Sequence, residues 1–393
     1  MKQPRNYVKE NTAMQNIPLF KIYWDDQDIE KVTSVIKKGM YWATGPDIKE
    51  FEAMISEYVG VKYALAMNSG TSALHVVLAA HSIGEGDEVI VPSFTFIATA
   101  NAALFVGAKP VFAEIEGETY GLDPEDVERK VTPKTKAIIP IHYGGSSCYI
   151  SKLEQIARKH NLILIEDAAE SLGAMVNGRK VASFGDSAIL SFCAPKVITM
   201  GEGGMILTNS RDVYEKARLI YNHGRVETSD YFSSTEQMQY VMLGYNFRMS
   251  TMSAALGMAQ MEKIDKLIHM RRENANYLTQ RLLEIEEIEP PKEPSSYFHV
   301  YQMYTIRING KEGIRDRLKG YLVQHGIGAK VYFDPVHLTQ FYRREFGFRE
   351  GCLPLTEKVA TEVLTLPMYP TLTREEMDYI VQQIEDFFAK GAK

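Results

Sequence analysis

The sequence predicts an α/β protein: a seven-stranded, mostly parallel sheet in a large domain, followed by a smaller α+β domain. Three observations predict it. Between residues 63 and 209, short β-rich apolar runs alternate with helix-like stretches. The first five runs are separated by connections long enough for crossovers, which favours parallel pairing. Beyond Pro290 the pattern turns to two β-like runs and two helical ones. A chain of 393 residues, 45% of them hydrophobic, suffices for two domains in close contact, and no Ser/Gly/Pro-rich linker separates them. The expected division is 17–260 for the large domain and 261–393 for the small one.

The expected strands are 63–67 (YALAM), 88–91 (EVIV), 110–115 (PVFAEI), 137–141 (AIIPI), 162–166 (LILIE), 187–192 (SAILSF) and 204–208 (GMILT). Helical periodicity fills several of the links, as in 151–160 (SKLEQIARKH). The last link differs. Only the eleven residues 193–203 join the last two strands, too few for a helical crossover, so one strand should run antiparallel to its neighbour. After residue 250 one long helix is expected over 253–282, small-residue-rich at its start (SAALGMA) and leaving the large domain. The small domain should then hold β-like runs at 299–308 and 329–333 and helices at 313–325 and 373–388.

Composition and motifs exclude several functions. The net charge is −6 and no basic run occurs, so neither nucleic acid nor an anionic membrane has an electrostatic footprint. Cys148, Cys193 and Cys352 lie far apart, which speaks against a disulfide framework or a cysteine zinc site and suits a reducing cytoplasm. No leader-like start and no stretch of about 18 apolar residues points to secretion or membrane spanning. Walker A, HExxH and GxSxG are absent, and the histidines do not cluster at metal-ligand spacings, so no metal is expected. Gly201-Glu202-Gly203-Gly204 sits between two strands and opens no helix, unlike a dinucleotide fingerprint.

What remains is polar residues at the carboxyl ends of the strands, where open α/β sheets bind ligands. Asn68-Ser69-Gly70-Thr71-Ser72 opens a helix and offers N–H groups and hydroxyls to a phosphate, or else forms an ordinary N-cap. Asp167 ends an apolar strand and is followed by two alanines; it either meets a cation or caps a turn. Ser191 and Lys196 lie on and after the next strand, with apolar residues around the lysine, which is either an easily deprotonated amine or a solvated loop residue. Phe96 is a core aromatic or a face of the same crevice. Phosphate cradle, aromatic face, acid and lysine together suit pyridoxal 5′-phosphate, a phosphorylated aromatic aldehyde with a basic ring nitrogen.

The segments NSGTSALHV, PSFTFIATANA, ILIEDAAESLGA, the 191–196 segment with MGEGGM, and GYNFRMSTMSAALG resemble the pyridoxal-phosphate-dependent sugar aminotransferases of the DegT/DnrJ/EryC1/StrS type. The resemblance runs from about Ile17 to the C-terminal helix. It implies the aspartate-aminotransferase-like fold, fold type I, and a homodimer. Lys196 would be the Schiff-base lysine and general base, Asp167 the partner of the ring nitrogen, and Phe96 the stacking ring. Gly70, Thr71 and Ser191 would bind the phosphate, with Asn246 reaching it from the second subunit. Glu170 stands where many relatives carry Gln or His near the cofactor, and Pro195 where a polar residue is commoner. Tyr332 and His337 in AKVYFDPVHL are suggested as sugar contacts or as surface packing. Arg225, Arg248 and Lys330 are candidates for a nucleotide diphosphate, or merely solvated cations. The activity implied is amino transfer, from glutamate, to a nucleotide-linked keto-sugar, foremost a 4-keto-6-deoxyhexose. A sugar dehydratase, an aminoshikimate-type enzyme or a non-catalytic regulator on the same fold are the rivals; retention of Lys196 weighs against the dehydratases that replace this lysine, and the intact set of Lys196, Asp167 and Asn246 against the regulator.

Overall fold

The seven expected runs pair in one sheet of the computed structural model, which describes residues 16–226 and 237–389. The strands are β1 (Tyr63–Met67), β2 (Glu88–Pro92), β3 (Lys109–Ala113), β4 (Thr135–Ile138), β5 (Ile163–Asp167), β6 (Ser187–Ser191) and β7 (Gly204–Thr208). Their order is β1-β7-β6-β5-β4-β2-β3. From β3 to β6 every pair is parallel. Strand β7 alone is reversed, antiparallel to both β6 and β1, as the short 193–203 link requires. The fourth strand forms earlier than 137–141, because Pro140 has no N–H for a regular ladder; its carbonyl still accepts from the Asp167 N–H at 2.9 Å.

Helices cover both faces. The Gly70–Ala80, Ala98–Phe105 and Arg211–Tyr221 helices bury Val76, Val77, Ala102 and Ala217 against β1, β2, β6 and β7 side chains such as Leu65, Val89, Ile189 and Ile206. On the other face, Phe51, Ile55, Ala254 and Met258 from the Pro46–Val59 and Thr251–Met261 helices meet Ala66, Leu190 and Leu207.

The long helix expected over 253–282 is two helices, Thr251–Met261 and Ile264–Leu282, with the break at Glu262 and Lys263. No Gly or Pro marks it. Lys263, 7% exposed, places its ammonium 2.5 Å from Asp25 and 2.7 Å from Asp28, tying the break to the start of the Asp26–Lys38 helix. The second helix serves two cores: Ile264, Leu267 and Ile268 join the large one, and Ala275, Leu278 and Leu282 the C-terminal one.

The C-terminal core packs β8 (Ile288–Glu289), β9 (Tyr304–Ile308) and β10 (Val363–Leu366), an antiparallel sheet in that order, under the Ile314–Gln324 and Arg374–Ala389 helices. Strand β10 replaces the run expected at 329–333. There only Lys330 forms an isolated bridge, to Thr365, while the Phe333 ring turns toward Phe94 and Tyr143 and the Tyr332 ring packs on Phe333. Ile17 pairs with Ile327 and packs in this C-terminal core. Among the described residues no helix is long and apolar enough to cross a membrane.

Candidate active site

Strands β1, β5 and β6 deliver their carboxyl ends to one edge of the sheet. Ser69 caps the Gly70–Ala80 helix, its hydroxyl accepting from the Ser72 N–H at 3.1 Å, so the cap and the cradle are one structure. A Cβ on Gly70 would stand 3.0 Å from the Ser191 Cβ, and one on Gly204 would collide with the Ser69 backbone. Glycine at both positions lets β6, β7 and the helix start close up, which gathers Gly70, Thr71 and Ser191. Thr71 is exposed at the positive helix end.

Asp167 is 3% exposed at the end of β5. Its Oδ2 accepts from the Thr99 hydroxyl at 2.7 Å and its Oδ1 from the Ala169 N–H at 3.2 Å. Among the described residues no cation pairs with it. Burial raises its pKa above the ordinary carboxylate value, the Thr99 and Ala169 bonds oppose the rise, and the Glu170 charge adds to it. Lys196 lowers it least. Glu170, also buried, accepts from the Gly144 N–H at 2.9 Å through Oε2, while its Oε1 lies 3.5 Å from Lys196 Nζ.

The Lys196 side chain is 14% exposed, held by a turn in which its N–H bonds the Cys193 carbonyl at 3.1 Å. The neighbouring Pro195 has no N–H to offer; its carbonyl accepts from Gln302 Nε2 at 2.9 Å, which ties the lysine loop to the approach to β9. Phe96 is 59% exposed, with its ring 6.4 Å from that of Phe333.

Lys330 is exposed, with Nζ 4.6 Å over the Tyr332 ring, and the Tyr332 carbonyl accepts from the Tyr143 hydroxyl at 2.5 Å. His337 has another setting than the one expected: it is fully buried, with Nδ1 2.7 Å from Ser93 Oγ and Nε2 3.1 Å from Glu357 Oε1. Both ring nitrogens are engaged within the protein, and burial draws its pKa down. It anchors the Val336–Leu338 turn to the residue after β2 and presents nothing to the cleft. Arg225 is buried beside the Arg225–Val226 and Gln239–Tyr240 pairing. Asn246 is exposed, and Arg248 Nη1 donates to Asn222 Oδ1 at 2.6 Å; a bridge from Met67 to Arg248 sets this segment beside β1.

Thr99, Gly144 and Gln302, which orient Asp167, Glu170 and the lysine loop, were not legible in the sequence. Thr99 lies three residues after Phe96 in PSFTFIATANA, and that helical spacing is the one clue it offers.

The set fits pyridoxal phosphate. A buried carboxylate that no cation pairs among the described residues, an exposed aromatic ring at Phe96 and a hydroxyl-lined glycine turn at the start of the Gly70–Ala80 helix match a cationic ring bearing a phosphate. A model of the DegT/DnrJ/EryC1/StrS aminotransferase family matches residues 23–385. The chain belongs to that family. It is 38% identical to the pleiotropic regulatory protein of Geobacillus stearothermophilus, over 92% of this chain and 94% of that one. It is 35% identical to the GDP-perosamine synthase of Vibrio cholerae, over 95% of this chain and 99% of the relative. The Streptococcus pneumoniae protein Spr1654, solved in a PLP form, superposes with a TM-score of 0.90 at 27% identity, covering 96% and 99% of the two chains. As a member of this family the protein is a sugar aminotransferase of fold type I, and its cofactor is pyridoxal 5′-phosphate.

Proposed function

We propose that the protein moves an amino group from glutamate onto a keto-sugar carried by a nucleoside diphosphate, with a 4-keto-6-deoxyhexose as acceptor. The observation that carries this reading is Asp167, buried without a cation, in the same cleft as the Lys196–Glu170 pair. The similarity to a GDP-perosamine synthase supports a nucleotide-linked sugar.

Pyridoxal phosphate, when bound, supplies an aldehyde for nitrogen exchange and a ring that takes up the electron pair left by a departing proton. Gly70, Thr71 and Ser191 would hold its phosphate, Phe96 would cover its ring, and Asp167 would hold a proton on its ring nitrogen. Lys196 Nζ takes the proton from Cα of the donor and returns one to the former keto carbon of the sugar. Glu170, anchored by Gly144, keeps that amine aimed into the cleft. Glutamate leaves as its 2-oxo acid and the ketone becomes an amine, so the two half-reactions give ping-pong kinetics. Tyr332 and Lys330 at the cleft mouth would meet the sugar and the diphosphate; His337 positions their loop. Arg248 fixes the 246–248 segment through Asn222.

The working unit in this reading is a homodimer with shared sites. Asn246 is exposed and follows the exposed apolar residues Tyr240, Val241, Met242 and Leu243, a surface suited to a second copy. The boundary between residues 260 and 261 lies next to the helix break at Glu262, with Ile17 packed on the C-terminal side. A cytoplasmic place of action suits three unpaired cysteines.

Two experiments test this. With 15N-glutamate and UDP-, dTDP- and GDP-linked 4-keto-6-deoxyhexoses, mass spectrometry should show label entering one sugar; no labelled sugar would refute the acceptor class. Mixing a Lys196→Ala chain with an Asn246→Asp chain should restore activity at one site per hybrid dimer. Subunit exchange without recovery would place Asn246 in the same site as its own Lys196.

A further inference from the structure

A small cavity lies between the loop that carries Lys196, the N-terminal segment at Lys21 to Tyr23, and the Ile264–Leu282 helix. Three cationic residues line it, Lys21, Lys196 and Arg271, and no Asp or Glu does. Two of these cations reach acids outside the lining: Lys21 Nζ lies 3.1 Å from Glu376, and Lys196 Nζ lies 3.5 Å from Glu170. Arg271 reaches none among the described residues. It is 3% exposed, and its Nη1 donates to the carbonyls of Tyr301, Gln302 and Met368 at 3.2, 3.4 and 3.1 Å. Its Nε–H has no partner. Burial alone draws its pKa down from the ordinary guanidinium range to about 10, with no neighbouring charge acting on it. A buried guanidinium with an unused N–H and no counter-charge is costly.

We propose that this cavity is an anion site, occupied by one halide-sized anion held by the Arg271 guanidinium. The ligand is small because the cavity is small and the polar groups on the rest of its wall are largely spent: Thr199 donates its hydroxyl to the Phe192 carbonyl and Gln260 its amide to the Tyr23 carbonyl and Asp28, while Val197, Leu267 and Pro370 offer no side-chain donor to the several oxygens of a phosphate or a carboxylate. A monoatomic, weakly hydrated anion needs only the guanidinium and an apolar seat. The position gives it a bearing on the lysine loop. The Gln302 carbonyl accepts from Arg271 and the Gln302 amide donates to the Pro195 carbonyl, so the anion stands at the end of a short chain of contacts leading to Lys196. The site is independent of which sugar the enzyme uses.

Crystals soaked in sodium bromide should show an anomalous peak within hydrogen-bond reach of Arg271 Nε. In solution, replacing gluconate by chloride at constant ionic strength should raise the melting temperature of the wild-type enzyme saturably, by about 2 °C. Arg271→Gln should lose that dependence, and Lys21→Gln, altered at a partly exposed side chain, should fold normally and need more chloride for the same rise. A water and no bromide peak at Arg271 would overturn the proposal, and so would an unchanged chloride effect in Arg271→Gln. A glutamate carboxylate found in the cavity after a glutamate soak would also overturn it, making the site a donor pocket.

Discussion

Glu166 and Asp167 are successive residues of one strand, both buried, and the sheet sends them to opposite sides. On one side Glu166 is saturated. It accepts from the N–H groups of Ala182, Phe184 and Gly185 at 2.8, 2.6 and 2.7 Å, and His142 Nε2 lies 2.9 Å from it. On the other side Asp167 has one hydroxyl and one long N–H bond. Burial by itself therefore says little about function. Four donors make a buried carboxylate a structural knot that closes the 182–185 loop onto β5, whereas two leave a charge that still needs a cation. The cofactor side of the sheet is the unsatisfied side.

That contrast predicts opposite phenotypes for the two isosteric amides. Asp167→Asn should lower transamination by about a thousandfold or more while the protein stays folded, because the ring nitrogen loses its charged partner. Near-wild-type turnover in this variant would break the comparison. Glu166→Gln should do the reverse: a loss of about 2 to 3 kcal/mol in denaturant unfolding, with turnover per folded molecule little changed. A variant as stable as wild type would show that the four donors at Glu166 are dispensable.

Smaller effects sharpen the same contrast. Thr99→Val removes the shorter of the two bonds to Asp167, and the expected cost is about 1 kcal/mol, read as a roughly fivefold weaker cofactor dissociation constant. Equal affinity would mean that Thr99 does not orient the acid. The last effect concerns pH. Because burial raises the Asp167 pKa, the folded state binds its proton more tightly than the unfolded state does. In the cofactor-free protein the resulting stabilisation is full below the ordinary aspartate value of 3.8 and is lost as pH rises through the folded-state value. Cofactor-free Asp167→Asn should therefore match or exceed wild type in melting temperature at neutral pH, and saturating cofactor should reverse the order. The same ranking with and without cofactor would deny Asp167 its cation.

Much of this was legible along the chain. Strand periodicity, the short link that reverses β7, and the placement of Asp167 and Lys196 at strand ends all follow from patterns spanning a few residues to a few tens. Local pattern sets an element because side-chain alternation and chain reach act locally. Contacts between distant segments do not show in such patterns. The break at Lys263 depends on Asp25 and Asp28, more than 230 residues earlier. His337 reads as a sugar contact or surface packing until Ser93 and Glu357 close on it, and β10 pairs with β9 where 329–333 was expected, while the Phe333 ring finds Phe94 and Tyr143. The difference between Glu166 and Asp167 belongs to this second kind. Adjacent acids on an apolar strand look alike in sequence, and only the three backbone N–H groups that the distant 182–185 loop brings to Glu166, against the single local one from Ala169 at Asp167, separate the knot from the site.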